Sequence, residues 1–241
     1  MSDSDSLRIS ELKRELISTA AACDRGFGAG AADRARVGSL LSALVTLNPP
    51  KNPTRGLFPY NYPDESEASL AGCWRMIYTD AYDVLSLAAS PLTLLQGIYQ
   101  VIDSSGKSAN VIDITSRLTP LIPVRFAEKL ESVLRLKVLT QSKARSETRV
   151  GLRFQSVKVQ PLTFLGQSLP ASLPALQASL PQKFLYDAID AFSNKSDDID
   201  SSIGFFDVAY LDSDMLVIKQ NQPGGIFIST RDASADPITF F

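Results

Sequence analysis

From Leu70 onward the chain alternates apolar and polar residues with a period of two, and no helical pattern intervenes between most successive segments. Trp74, Met76 and Tyr78 alternate with Arg75, Ile77 and Thr79, and Ile98–Ile102, Val111–Ile114 and Leu134–Leu139 come next. Val150, Leu152, Phe154 and Val157 sit among Arg149, Arg153 and Gln155, and Phe205–Leu211, Met215–Lys219 and Ile226–Ser229 complete the set. A period of two is that of a strand with one face buried. Asp103–Gly106, Asp212-Ser213-Asp214 and Pro223-Gly224-Gly225 read as turns between neighbouring strands. Parallel strands would need crossover helices, so the pattern predicts about eight short antiparallel strands. Such a set resolves its edges by closing into a barrel or stacking as a sandwich. Phe126, Leu130, Val133 and Leu134 have the spacing of a helical turn, and Phe184, Leu185, Ala188, Ile189 and Phe192 that of a short helix.

The first quarter has a different period. Leu7, Leu12, Leu16 and Ala20 recur every four or five residues, and Val37, Leu40, Leu41, Leu44 and Leu47 form a second stripe. Gly26, Gly28 and Gly30 stop the first helix, Asp33 reads as the N-cap of the second, and Asn48-Pro49-Pro50 ends it. Prolines 49, 50, 53, 59 and 63 punctuate a polar connection to Leu70. The expected organisation is a helical pair over 1–48, a Pro-rich connection over 49–69 and a β-barrel over 70–241, together one compact unit.

The composition excludes several chemistries. The 241 residues contain no histidine, which removes histidine bases, histidine metal ligands and Ser-His or Cys-His pairs. Cys23 and Cys73 are too few for a Cys-type zinc site and give no disulfide framework, which fits a reducing compartment. Gly26–Gly30 comes after a helix rather than a strand and reads as a helix stop, not a phosphate loop. Asp197, Asp198 and Asp200 lack the glycine and distal glutamate of a calcium loop, and Asp212 and Asp214 at a turn read as backbone acceptors. Neither an enzyme, a cofactor nor a nucleic-acid partner is expected.

A net charge of −2 conceals an asymmetry. Arg117 to Lys158 holds ten basic residues against three acids, and Asp187 to Asp214 holds eight aspartates against Lys195. Two readings fit: a surface for an anionic partner, or mutual neutralisation across neighbouring strands. The acidic start lacks the features of a signal or transit peptide, and Val84–Ile102 is too interrupted to span a bilayer. The aromatic residues Trp74, Tyr78, Phe154, Phe206, Tyr210 and Phe227 likewise have two readings, a filled core or the wall of a ligand cavity.

Several segments carry a family resemblance. Glu11-Leu-Lys-Arg-Glu-Leu-Ile, Asp24-Arg-Gly26 and Leu40 to Asn48-Pro49 resemble the N-terminal signature of the plastid-lipid-associated protein (fibrillin) family. Leu70-Ala-Gly-Cys-Trp74-Arg-Met-Ile-Tyr78-Thr79 is similar to its opening strand, and Gly97–Asp103 with Asn110-Val-Ile to its second and third strands. Arg149–Phe154, Phe206–Asp212 and Gly225–Ser229 resemble its later strands, so the likeness covers about residues 7 to 230 in order. One departure is that Leu216 and Lys219 stand where the family carries arginines.

The resemblance implies a mainly β, lipocalin-like antiparallel β-barrel preceded by an N-terminal helical pair, in a member of cyanobacterial type. It also implies a non-enzymatic role in binding small hydrophobic molecules, of the carotenoid, prenylquinone or fatty-acid class, in the cytoplasm at thylakoid membranes or lipid bodies. Under that reading Trp74, Tyr78, Phe154, Tyr210 and Phe227 wall the cavity and Arg149 and Asp212 orient a headgroup at its mouth. The alternative is a filled barrel whose helices or charged blocks dock a protein partner, such as a thylakoid complex or a lipid-biosynthetic enzyme.

Overall fold

The computed structural model describes residues 3–57, 68–82, 84–85, 93–116, 132–164, 166–170, 204–221 and 224–233. Two helices come first, α1 (Asp3–Ala22) and α2 (Ala31–Leu47). The strands are β1 (Gly72–Thr79), β2 (Thr93–Ile102), β3 (Lys107–Ser116), β4 (Val133–Ala144), β5 (Arg149–Phe164), β6 (Gln167–Ser168), β7 (Phe205–Leu211), β8 (Met215–Gln220) and β9 (Gly225–Arg231). All pairings are antiparallel, in the order β4-β3-β2-β1-β9-β8-β7-β5, and β4 pairs again with β5, so eight strands close into a barrel. The two-residue β6 adds to the far end of β5.

Every strand segment expected from the alternation is present. The Asp103–Gly106 turn closes the β2–β3 hairpin, with Gly106 N–H donating to the Asp103 carbonyl at 3.0 Å. Val133 and Leu134 belong to β4 rather than to a helical turn, paired with Thr115 and Ile114 across the ladder. The rest of that expected turn, and the short helix expected near Phe184, lie outside the described residues.

The second helix begins ahead of Asp33. Gly30 is its N-cap, and the Asp33 carboxylate accepts the Gly30 N–H at 2.9 Å from inside the first turn. A carboxylate there covers an unsatisfied amide and faces the positive end of the helix dipole, so Asp33 caps from N3.

Between the helices, Asp24, Arg25 and Gly26 take consecutive left-handed conformations with φ of 45°, 59° and 97°. A Cβ on Gly26 would overlap the Thr79 carbonyl oxygen, so this close approach to β1 requires glycine. The Arg25 guanidinium donates to the Leu95 carbonyl at 3.0 Å, and Phe27 packs against the apolar cluster at that end of the barrel. The turn thus ties the helical pair to one barrel mouth.

The core has distinct parts. Ile9, Leu12, Leu16, Val37, Leu41 and Leu44 of the helices bury against Tyr78, Tyr210, Met215, Val217 and Ile228, which lie on the outer face of β1, β7, β8 and β9. Inside the barrel, one cluster joins Leu57, Leu70, Trp74, Ile102, Val150, Leu152, Phe206 and Leu216. A second joins Met76, Val84, Leu95, Ile98, Ile112, Leu136 and Val159. Leu57 belongs to the expected connection and Leu70 stands at its end, yet both are buried, and Thr54 Oγ1 anchors that segment on the Ser146 carbonyl at 2.7 Å.

Two β-bulges decide which face meets the helices. Register shifts between Met76 and Tyr78 in β1, and between Val208 and Tyr210 in β7. One extra residue reverses the pleat for the remainder of each strand. Tyr78 and Tyr210 therefore face the helices, whereas Trp74, Met76, Phe206 and Val208 face inward.

Candidate ligand site in the barrel interior

The ladder places Arg231, Trp74, Gln100, Asn110, Val138 and Val157 side by side on the inward face of β9, β1, β2, β3, β4 and β5. The two interior clusters lie to either side of this row, and Phe227 packs against both. Gln100, Asn110, Val157 and Phe227 remain half-buried where their neighbours Ile98, Ile102 and Val138 are buried. These four inward side chains keep contact with solvent, which makes the stretch between the clusters the candidate place for a ligand.

One end of that stretch is capped by a compact device. The Trp74 ring is fully buried under the Arg231 guanidinium, whose carbon lies 4.1 Å from the ring centroid. Arg231 donates to the carbonyls of Ser69, Ala71 and Ser213 at 2.6, 3.0 and 2.7 Å, and Trp74 Nε1 donates to the Leu70 carbonyl at 2.9 Å. Gly72 has φ of 149°, and a Cβ there would overlap the guanidinium. The Leu-x-Gly-x-Trp pattern thus builds a cation–π lid whose three carbonyl acceptors come from two separate loops.

Three hydroxyls elsewhere on the inward face satisfy one another. Ser108 Oγ lies 2.6 Å from Thr140 Oγ1 and 2.5 Å from Ser142 Oγ, a closed hydroxyl chain linking β3 and β4. Among the described strand residues, Arg231 is the one charge on the inward face, and its donors are engaged by the three carbonyls.

The residues expected to form the site are distributed over three places. Trp74 and Phe227 lie together in the interior. Phe154 stands opposite Thr140 in the ladder, with its side chain outside the described residues. Tyr78 is buried under the helices, where burial and the Asp80 carboxylate push its hydroxyl up to about 12. Tyr210 is buried there too, and its hydroxyl donates to Asp212 at 2.5 Å. Asp212 also pairs with Lys13 of α1 and accepts the N–H groups of Asp214 and Met215 at 3.1 and 2.9 Å. Burial alone would raise the Asp212 carboxyl, but hydrogen bonding with Asp214, Lys13 and Tyr210 outweighs it and holds the group below the ordinary carboxylate value. Arg149 lies on the outer face, exposed, bidentate to Asp207 at 2.7 and 2.9 Å and stacked on Phe205.

Gln100, Asn110 and Arg231 are the interior residues that sequence reasoning missed. Gln100 was visible as one polar residue between Ile98 and Ile102 on an otherwise apolar face. Arg231 carries no local signal, because its role depends on three carbonyls distant in sequence. Leu216 is buried in the interior opposite Leu211 and Ser229, so the inward arginine of this chain sits instead at the end of β9. Lys219 is exposed on the outer face.

The thiols are structural. Cys23 is buried and its Sγ donates to the Thr19 carbonyl at 3.1 Å. Cys73 is buried on the outer face of β1, and burial, with a smaller push from the Asp232 charge, raises it to about 11. No helix among the described residues is long and apolar enough to cross a membrane.

No solved structure significantly matches the chain. Plastid lipid-associated protein 3, chloroplastic, of Brassica campestris is 24% identical over 93% of this chain and 61% of its own length. Plastid lipid-associated protein 1, chloroplastic, of the same organism is 28% identical over 93% of this chain and 68% of its own length. The probable plastid-lipid-associated protein 2, chloroplastic, of Arabidopsis thaliana is 30% identical over 60% of this chain and 40% of its own length. The chain thus spans about three fifths of the first of these relatives. The PAP_fibrillin family model matches residues 10–229, nearly the whole barrel with its helical pair, and the chain belongs to that family.

Proposed function

We propose that this chain binds small apolar molecules inside its barrel, without catalysis, at the surface of lipid bodies or photosynthetic membranes. The observation that carries the reading is the set of half-buried inward residues, Gln100, Asn110, Val157 and Phe227, between two apolar clusters. A barrel of about eight strands has room for side chains or for one small ligand. The ligand would lie against the half-buried side chains between the two packed clusters. The names of the plastid lipid-associated relatives support the ligand class, which we take as carotenoid, prenylquinone or fatty acid. A binding role also accords with two buried thiols, one of them raised well above reactive values.

Membrane contact would be electrostatic and peripheral. Arg153 and Lys158 of the basic block are exposed on β5, whereas Arg135 and Arg149 of the same block are bound by Asp113 and Asp207. Both readings of the charge asymmetry thus find residues that fit. The decisive experiment uses the single tryptophan, Trp74, as a reporter. Delipidated protein should show saturable quenching or sensitised emission with at least one probe among a carotenoid, a prenylquinone and a fatty acid. Failure of all three at micromolar concentration would overturn the reading.

A second reading rests on Leu7 and Ile17 of α1, which are 68% and 42% exposed and available to a protein partner. Replacing both with serine would abolish co-purification of a docked partner but leave lipid uptake unchanged.

A further inference from the structure

Gln100 and Asn110 face each other across the β2–β3 ladder, both inward. Directly opposed side chains in an antiparallel pair have Cβ atoms about 5 Å apart, so the two amides form one polar patch. Around it Ile98, Ile102, Ile112, Val138, Val157 and Phe227 make the wall largely apolar, with Ser108 and Thr140 on one side. Neither amide has a hydrogen-bond partner among the described residues, unlike the Ser108–Thr140–Ser142 chain one step along the same strands. Each amide offers two N–H donors and one carbonyl acceptor. In an apolar chamber such groups are costly unless water or a ligand pairs with them.

Resting on the lipid-binding reading above, we propose that Gln100 and Asn110 form the headgroup subsite, and that it selects an apolar molecule ending in a neutral oxygen, a ketone, quinone or hydroxyl, over a carboxylate. The donors suit an uncharged oxygen. A carboxylate lowered to this depth would need a cation, and the inward face of the described strands carries only Arg231, already engaged by three carbonyls. Trp74 is the direct ladder neighbour of Gln100, so occupancy of the subsite is reported by the chain's single tryptophan.

The test uses three probes on the full chain: diphenylhexatriene, an oxygen-free polyene, displaced by either dodecan-2-one or dodecanoate. The hydrocarbon binds, and the ketone displaces it at lower concentration than the carboxylate. Gln100→Leu and Asn110→Leu each weaken the ketone about five- to tenfold relative to diphenylhexatriene, the loss of one neutral hydrogen bond. Leucine removes a half-buried polar group, and an unchanged melting transition identifies correctly folded variants. If either variant fails to fold, the wild-type ratio of ketone to carboxylate decides alone. Diphenylhexatriene binding with equal ketone and carboxylate affinities, or leucine variants that bind ketone like the wild type, would overturn the headgroup assignment alone. No binding of diphenylhexatriene, ketone or carboxylate would overturn the lipid-binding reading and the assignment with it.

Discussion

Two tyrosines that alternate with apolar neighbours in much the same way have opposite energetic roles. Tyr210 is buried, donates to Asp212 and accepts from Asn48 Nδ2 at 3.3 Å, joining α2, β7 and the β7–β8 turn. Tyr78 is equally buried, but its hydroxyl has no partner among the described residues. A satisfied hydrogen bond is worth about 1 kcal/mol, and an orphaned buried hydroxyl costs about 1–3 kcal/mol. Tyr210→Phe should therefore destabilise the protein by about 1–2 kcal/mol, whereas Tyr78→Phe should stabilise it by about 1 kcal/mol. Urea unfolding of both variants measures the contrast, and equal signs would refute it. The sequence marks both positions as aromatic and strand-borne, but hydroxyl partners come from helix and turn residues distant in the chain.

The elements are legible in the sequence and their faces are not. Period-two alternation locates β1 and β7, but it places Tyr78 with Trp74 and Tyr210 with Phe206. A bulge in each strand turns the tyrosines outward. Nothing local announces these bulges, since Ile77 and Ala209 are ordinary strand residues. They form because the helical pair supplies an apolar surface that rewards the turned-out side chains. The Asp24–Gly26 turn holds that pair in place, and its glycine is required twice, by φ of 97° and by the Thr79 carbonyl. Gly26→Ala should cost about 2–3 kcal/mol or more, since strain and overlap add. Amide exchange is expected to accelerate in α1 and α2 before it does in the barrel strands. Uniform acceleration throughout would show that helices and barrel do not open separately.

At the scale of the whole molecule, the missing histidines become a pH statement. No side chain titrates ordinarily between about pH 6 and 8, so stability and ligand uptake should be flat there. The limbs on either side have identified groups. Asp212 is held below the ordinary carboxylate value, so it contributes stability above about pH 4 that is lost as pH falls through its depressed value. Cys73 is raised from 9.0 to about 11, so its contribution is full below its ordinary value of 9.0 and is lost as the pH rises to about 11. Unfolding free energies across the range should show that plateau, and Cys73→Ala should reduce the alkaline limb from about pH 9, leaving the part above about pH 10 that the raised Tyr78 hydroxyl contributes. A slope between about pH 6 and 8 would mean that another titrating group couples to folding.

The sequence by itself determined what short-range periodicity encodes: two helices, a chain of antiparallel strands, their turns, and a family likeness along nearly the whole length. It also bounded the chemistry, because a residue type that is absent can serve nowhere. The tertiary structure alone decided which side of each strand faces inward, where helices cover the sheet, and which polar groups meet. Arg231 acts through carbonyls of Ser69, Ala71 and Ser213, and Gln100 acquires meaning only beside Asn110 in a closed barrel. The physical reason is that alternation is a property of neighbours in the chain. Bulges, ion pairs and enclosed space depend on neighbours across it, and barrel closure brings those together.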